Sequence, residues 1–223
     1  MKKQFFIAAI AIGILVQFGV LAWMLVNREL TLRHGDVCLL QTAPVDPADP
    51  FRGRYVALRY AGLNNVKVEG EQNTWARGKP VWITFKTDES SVGTIDEVLL
   101  NKPDNPLCMK AYIQYSWKDY APADPPVTNE WGQVERGPTG KVKLTFNDLP
   151  IERFYLPEKL APEAENAYRK AINSAFNKDN NEEKADKVFA KVRFRKGQAV
   201  IEDLLFDDVP LREYLCNAGK TKQ

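Results

Sequence analysis

The chain turns sharply and then enters a strand within the segment Pro44-Val45-Asp46-Pro47-Ala48-Asp49-Pro50-Phe51-Arg52-Gly53-Arg54-Tyr55-Val56-Ala57-Leu58-Arg59-Tyr60. Its three prolines exclude helix and hold the backbone extended, while its aspartates can accept hydrogen bonds from nearby backbone amides in Asx turns. A glycine at position 53 permits a tight geometry where the strand begins. The residues predicted to form the turn are Pro44, Asp46, Pro47 and Asp49.

Side chains of the strand that follows alternate between two faces, with Val56, Leu58 and Tyr60 on one and Tyr55, Ala57 and Arg59 on the other. Further strand candidates occur at Val37–Leu40, Val81–Lys86, Thr94–Leu100, Ala111–Trp117, Lys141–Phe146, Val188–Arg195 and Ala199–Phe206. In one of them, a single face is predicted to carry Ala111, Ile113, Tyr115 and Trp117. The pattern predicts a mainly β (α+β) fold, built as an antiparallel sheet or a barrel-like domain.

One amphipathic helix is predicted late in the chain. Pro162 stands where the first turn of a helix tolerates proline, and apolar residues then recur at three- and four-residue spacing up to Phe176. Residues 121–140 hold four prolines and three glycines, and we expect them to form a long surface connection.

The amino-terminal segment Phe5 to Val26 contains no charged side chain. As a helix it would extend about 33 Å at roughly 1.5 Å per residue, enough to cross the core of a lipid bilayer. A cleaved signal peptide is the alternative, with Val20-Leu21-Ala22 as a weak cleavage site. Because the apolar run continues past Ala22, an uncleaved anchor is favoured.

Charge near the anchor predicts its orientation. The amino-terminal side of the anchor carries Lys2, Lys3 and the terminal amine, and the other side carries Arg28 and Arg33. This slight excess of positive charge on the amino-terminal side favours a cytoplasmic amino terminus. The predicted organisation is an anchor with short flanks over residues 1–30, an extracytoplasmic mostly β domain over 31–216 and a polar tail over 217–223.

Net charge and cysteine content bear on the class of binding partner and on the cellular compartment. The 223 residues carry a formal net charge of +2, which indicates no nucleic-acid partner. The three cysteines, Cys38, Cys108 and Cys216, show no CxxC spacing that would indicate a zinc or redox site. Outside the cytoplasm they would form one disulfide and leave one free thiol, with three possible pairings. Three unconnected cysteines are the alternative.

The segment Gly53-Arg54-Tyr55-Val56-Ala57-Leu58-Arg59-Tyr60 resembles the signature of the bacterial GDYXXLXY family. Its motif positions here are Gly53, Arg54, Tyr55, Leu58 and Tyr60. Other segments resemble the family's landmarks in the same order, namely Pro44–Pro47, Val81–Lys86, Glu152–Glu158 and Gly197–Phe206. The resemblance implies a single-pass protein of the bacterial inner membrane with no assigned activity, whose partner is another membrane protein of the same cell-envelope system.

Arg54 departs from the family signature, which carries Asp at that position. The substitution reverses the charge, so a catalytic carboxylate there could not survive it. Either the family residue is structural, or this chain has lost what the Asp did. The motif is therefore interpreted as architecture or as an interaction site.

The residues that could support enzymatic chemistry each have a simpler structural role. The lone histidine, His34, lies beside the membrane segment, which argues against a Ser-His-Asp triad, and one histidine is too few for a histidine-rich metal site. A His34–Cys38 pair is better explained as juxtamembrane structure. No metal or cofactor is expected. A signal-peptidase-like hydrolase would need Ser90 or Ser91 as nucleophile. A glycan hydrolase would need two carboxylates, for which the candidates are Asp46, Asp49, Glu152 and Glu158.

Charged and aromatic residues are interleaved just before the predicted helix, in a segment containing Arg153, Phe154, Tyr155, Pro157 and Glu158. As a patch, this segment could bind a partner; as structure, Phe154 would be core and Pro157 would end a strand. In Lys191–Arg195 the three cations on one face could meet anionic lipid headgroups, although a solvated strand face is the simpler explanation. The predicted function is a non-enzymatic, membrane-anchored accessory or interaction domain, with an envelope hydrolase as the alternative.

Overall fold

A computed structural model describes residues 2–43, 55–122, 128, 131, 134, 136–158, 160–176 and 188–220. Three helices are present within these ranges, α1 (Lys2–His34), α2 (Ala161–Phe176) and α3 (Leu211–Lys220). The strands are β1 (Asp36–Ala43), β2 (Tyr55–Ala57), β3 (Arg59–Tyr60), β4 (Val66–Glu69), β5 (Pro80–Thr87), β6 (Val92–Leu99), β7 (Cys108–Pro122), β8 (Arg136–Asn147), β9 (Arg153–Tyr155), β10 (Val188–Arg195), β11 (Gln198–Phe206) and β12 (Val209–Pro210).

Ten strands form one large sheet in the order β12-β11-β10-β1-β6-β5-β7-β8-β4, with β3 paired to β1. The prediction of a mainly β fold is confirmed. The sheet is mixed rather than wholly antiparallel, because β1 and β6 run parallel where Leu39 and Leu40 meet Val92 and Gly93. The sheet also coils, since the rings of Phe85 on β5 and Phe194 on β10 lie 5.2 Å apart although two strands separate them in the sheet.

Alternating burial along the strands builds the core. In β10 every second side chain is buried, namely Val188, Ala190, Val192 and Phe194. Apolar side chains of β5, β7 and β8 complete this core with residues such as Ile83, Met109 and Leu144. Apolar burial of this kind is the dominant favourable term in folding.

The β7–β8 hairpin is longer than predicted. Strand β7 continues to Pro122 and β8 begins at Arg136, so the prediction of a surface connection over 121–140 was wrong at both ends. Within this hairpin the Asp119 carboxylate is buried between two lysines, with its oxygens 2.7 Å from Lys143 Nζ and 2.9 Å from Lys67 Nζ. Strand pairing therefore extends into both ends of this segment, at residues 121–122 and 136–140.

Two amphipathic helices pack beside the sheet. Helix α2 lies over the predicted segment and buries one apolar stripe, Ala164, Tyr168, Ala171 and Ile172. Helix α3 was not predicted. Its first residue, Leu211, is buried, and Tyr214 stacks on Phe206 with ring centres 4.6 Å apart. The helix extends into the segment 217–223 that was predicted as a polar tail, and residues 221–223 lie outside the described ranges.

Helix α1 includes a stretch, Ile10–His34, that is long and apolar enough to cross a membrane; its most apolar part has a mean hydropathy of 2.1 and is not buried against the protein. The helix leads into β1 through Gly35 alone. All three cysteines are unpaired, with Cys38 and Cys108 buried and Cys216 exposed. Burial raises the pKa of the Cys38 thiol to about 11.

Candidate functional site

The motif strand changes its pairing partner at Leu58. Strand β2 pairs antiparallel with β9, so that Tyr55 lies opposite Tyr155. The Leu58 amide then donates to the Glu152 carbonyl at 2.9 Å, after which strand β3 pairs with the end of β1. The strand predicted as continuous therefore joins two different parts of the sheet system. It also brings the family motif against the Glu152–Glu158 segment, which lies about a hundred residues further along the chain.

The inner face of the motif strand is structural. Val56, Leu58 and Tyr60, which the alternation predicted to share one face, are all buried. The Tyr60 hydroxyl donates a 2.6 Å hydrogen bond to the Ile151 carbonyl, which fastens β3 to the segment before β9. Burial raises the pKa of Tyr60 well above 10.0, helped by nearby Tyr168 and then by Glu152. This phenol is a neutral donor in the folded chain.

The outer face presents three side chains that we call the tyrosine–arginine platform, made of Tyr55, Arg153 and Tyr155. The two tyrosine rings lie 5.7 Å apart at a tilt of 56°. The Arg153 guanidinium lies 5.4 Å from the centre of the Tyr55 ring, within the range of a cation–π contact. The Tyr155 side chain is 58% exposed. The platform is therefore open to solvent but held in shape by strand pairing and ring contacts.

A polar groove of about 230 Å³ adjoins the motif, lined by residues that include Leu58, Arg59, Tyr60, Asn64, Gln114 and Glu152. Burial raises the pKa of Glu152, and the negative charge of nearby Asp148 raises it further. The groove thus combines a carboxyl group of raised pKa with amide and guanidinium donors. Such a set suits hydrogen bonding to a polar segment of a partner.

The other predicted patch residues have structural roles or lie beside the platform. Phe154 and Leu156 are partly buried and pack against the core, as the structural interpretation requires. The Pro157 carbonyl accepts hydrogen bonds from the amides of Leu160 at 2.9 Å and Ala161 at 3.1 Å, so it starts the turn into α2. Glu158 follows in that turn and is exposed. The predicted patch thus divides between the platform and the core.

Six predicted motif and turn residues lie outside the described ranges, and these are Pro44, Asp46, Pro47, Asp49, Gly53 and Arg54. The same holds for two of the four carboxylates considered for hydrolysis. Among the residues that the structure describes, no three His, Cys, Asp or Glu side chains group closely enough to hold a metal ion.

The two serines considered as nucleophiles and the cations of β10 all take part in local structural contacts. The amides of Ser90 and Ser91 donate to the Asp88 side chain and backbone, each at 3.0 Å, so both serines belong to the β5–β6 turn. On β10, Lys191 and Arg193 both form ion pairs with Glu202 of the neighbouring strand. Glu202 therefore offsets one of the three positive charges on the predicted cationic strand face.

Sequence reasoning missed one exposed surface, the aromatic row formed by Tyr112, Tyr115, Trp117 and Tyr120 of β7, which are between 38% and 51% exposed. Arg77 lies 5.2 Å from the Tyr115 ring centre and Lys110 lies 5.3 Å from that of Tyr112. Tyr115 and Trp117 were predicted on the same face as Ala111 and Ile113. A β-bulge between Ile113 and Tyr115 moves them to the opposite face.

Comparison with known proteins identifies the family. The family model described as GDYXXLXY protein matches residues 17–204, which include the motif strand, both strands of the platform and β10. The chain belongs to the GDYXXLXY family. Neither the curated proteins nor the solved structures contain a match. The family match thus covers the tyrosine–arginine platform and the Tyr60 hydrogen bond that fastens it to the sheet.

Proposed function

We propose that this GDYXXLXY protein is a membrane-anchored accessory module of the bacterial cell envelope that binds another membrane protein. Helix α1 is the anchor, with the amino terminus in the cytoplasm and the β domain outside. The binding surface is the tyrosine–arginine platform together with the groove beside it. The module supplies a rigid docking surface rather than catalytic groups.

The platform carries this proposal. Tyrosine and arginine are enriched at protein interfaces and among the residues that contribute most binding energy. Here Arg153 and Tyr155 are exposed beside half-buried Tyr55, and ring contacts at 5.7 Å and 5.4 Å already hold the three in one arrangement. A partner would therefore bind them with little further loss of side-chain entropy.

The membrane part of the proposal is supported by the apolar stretch Ile10–His34 and by the charges at its ends. Lys2, Lys3 and the terminal amine outnumber Arg28 and Arg33, which favours a cytoplasmic amino terminus. A partner embedded in the same membrane would be confined near the domain. Confinement of this kind raises the effective concentration of the two binding surfaces.

Co-purification of the full-length chain from bacterial membranes in mild detergent tests the proposal. We expect one integral membrane protein to elute with the chain, and Tyr155→Ala to weaken that association about 30-fold, the effect of losing roughly 2 kcal/mol at a central interface residue. Tyr120→Ala is the matched control, because Tyr120 is a tyrosine of similar exposure in the aromatic row. Loss of the partner with Tyr120→Ala, and retention with Tyr155→Ala, would place the binding surface on the aromatic row and contradict the proposal.

Glycan hydrolysis is a second candidate function, favoured by one observation. Glu152 lines a groove and has a raised pKa, which is the property a general acid needs. Its partner carboxylate would have to lie about 5–9.5 Å away. Release of reducing sugars from a glycan library by the purified chain, lost in Glu152→Gln, would support hydrolysis and weaken the binding proposal.

A further inference from the structure

The anchor helix joins the sheet without a flexible linker. Gly35 is the single residue between α1 and β1, and its amide donates to the Thr31 carbonyl at 2.9 Å. Arg193 of β10 donates to the Gly35 carbonyl at 3.1 Å. A Cβ atom at position 35 would lie 2.4 Å from the Thr31 carbonyl oxygen and 2.9 Å from that of Phe194. The domain is therefore fixed directly to the end of the helix.

The β10–β11 hairpin points back along this helix. Phe194 pairs with Asp36 in antiparallel register, and β10 continues past that pair into the turn at Lys196 and Gly197. The turn therefore extends about 7 Å beyond the start of β1, at roughly 3.3 Å per residue. Helix α1 contacts both strands of the hairpin, so the turn lies beside the helix rather than away from it.

This geometry places the turn near the headgroups of a bilayer spanned by α1. The apolar run ends at Val26, and the ten residue steps from there to Asp36, where β1 begins, rise about 15 Å at roughly 1.5 Å each. Subtracting the backward reach of the turn, about 7 Å from the same residue, leaves the turn roughly 8 Å above the hydrocarbon core, at the outer edge of the headgroup layer. The headgroup layer on each side of a bilayer is about 5–7 Å thick.

Three residues of the turn region are in contact at this level, and together with the neighbouring Leu100 we call them the turn cluster: Trp82, Leu100, Lys102 and Lys196. Lys102 Nζ donates to the Lys196 carbonyl at 3.2 Å and lies 5.6 Å from the centre of the Trp82 ring. The Trp82 ring packs so closely over the turn that a Cβ atom on Gly197 would lie 2.4 Å from it. Leu100, next to the residue paired with Trp82, is 43% exposed.

We propose that the turn cluster binds the anionic headgroups of phospholipids in the membrane that α1 spans. Lysine ammonium groups attract phosphate and anionic lipid, while tryptophan and leucine partition into the boundary between headgroups and acyl chains. The inference rests on the proposed membrane anchoring. It adds that the domain is held against the bilayer in one orientation, which sets the direction in which the tyrosine–arginine platform faces its partner.

Trp82 supplies the reporter for a test in nanodiscs. The full-length chain is reconstituted in discs of phosphatidylcholine, with or without phosphatidylglycerol, containing a lipid with a spin-labelled headgroup that quenches tryptophan. The Trp82 signal is the difference in fluorescence between the parent chain and Trp82→Phe, whose thermal unfolding is checked to match. We expect stronger quenching of Trp82 in the discs with phosphatidylglycerol, and high salt should remove the difference.

Charge variants test whether the lysines of the turn cluster bind the anionic lipid. The double variant Lys102→Glu/Lys196→Glu should lose the phosphatidylglycerol-dependent quenching, because each lysine near an anionic surface contributes about a fivefold change in the docking equilibrium. Lys118→Glu is the matched control and should retain it, because Lys118 is an exposed lysine further along β7, eight residues beyond the Lys110 that pairs with Trp82. A chain that enters the discs but shows equal quenching in both lipids, or no effect of the double variant, overturns this inference alone. A chain that does not enter the discs overturns the anchoring and the inference together.

Discussion

Tyr60→Phe removes a single oxygen atom from the family motif. The hydroxyl of Tyr60 is buried and donates at 2.6 Å to the Ile151 carbonyl, which is buried with it. Loss of a hydrogen bond that leaves a buried carbonyl unpaired costs about 1–3 kcal/mol, and a short bond in a well-packed site should cost about 2 kcal/mol. In a chain of this size, that loss lowers the unfolding temperature by about 4–8 °C.

The assay is thermal unfolding of the full-length chain in mild detergent, followed by circular dichroism. Tyr155→Phe is the control, because the Tyr155 side chain is exposed and loss of its hydroxyl at the surface should change the free energy of unfolding by less than about 0.5 kcal/mol. The raised pKa of Tyr60 adds a second readout. Since ionisation opposes the fold, stability should decline as the pH rises above about 10, and less steeply in Tyr60→Phe. Equal stability of Tyr60→Phe and the parent would refute the assignment of Tyr60 as an architectural residue.

Three further predictions follow from local geometry. Two lysine ammonium groups lower the pKa of Asp119 to about 2, so Asp119→Asn should lower the unfolding temperature at pH 7, and the difference should shrink as the pH falls from about 4 towards 2. Gly35→Ala should destabilise the chain by about 1–3 kcal/mol in chemical denaturation, whereas Gly137→Ala, which meets nothing within 4 Å, should not. In the folded chain, iodoacetamide should modify exposed Cys216 and spare Cys38, measured by mass spectrometry; equal labelling would contradict the burial of Cys38.

Local patterns predicted most of the large sheet because its strands bury one face each. The alternation in β10 and the apolar stripe of α2 are visible without any partner strand. The parallel pairing of β1 with β6 cannot be read from local sequence, since it joins segments that are separated by four other strands. Helix α3 was missed because it is short and its packing depends on Phe206 of β11.

The sequence predicted the separate segments of the candidate site but not their arrangement. Both the motif and the segment around Tyr155 were recognised, but nothing in their composition indicates that they pair with one another. The change of partner at Leu58 depends on a hydrogen bond from a residue far along the chain. The bulge after Ile113 likewise reversed the predicted faces, because one extra residue inverts every following side chain. Long-range pairing and bulges are tertiary features that a period-two pattern does not contain.

Site-specific photocross-linking in living bacteria tests the central claim most directly. A photoreactive residue is placed in turn at Tyr55, Val56, Arg153, Phe154 and Tyr155 of the full-length chain. If the platform docks a membrane protein, the outward positions 55, 153 and 155 yield one discrete adduct with an integral membrane protein. The inward positions 56 and 154 do not, so that the adduct follows the alternation of the two strands. Equal adducts at inward and outward positions, or none at any of the five, would contradict the claim.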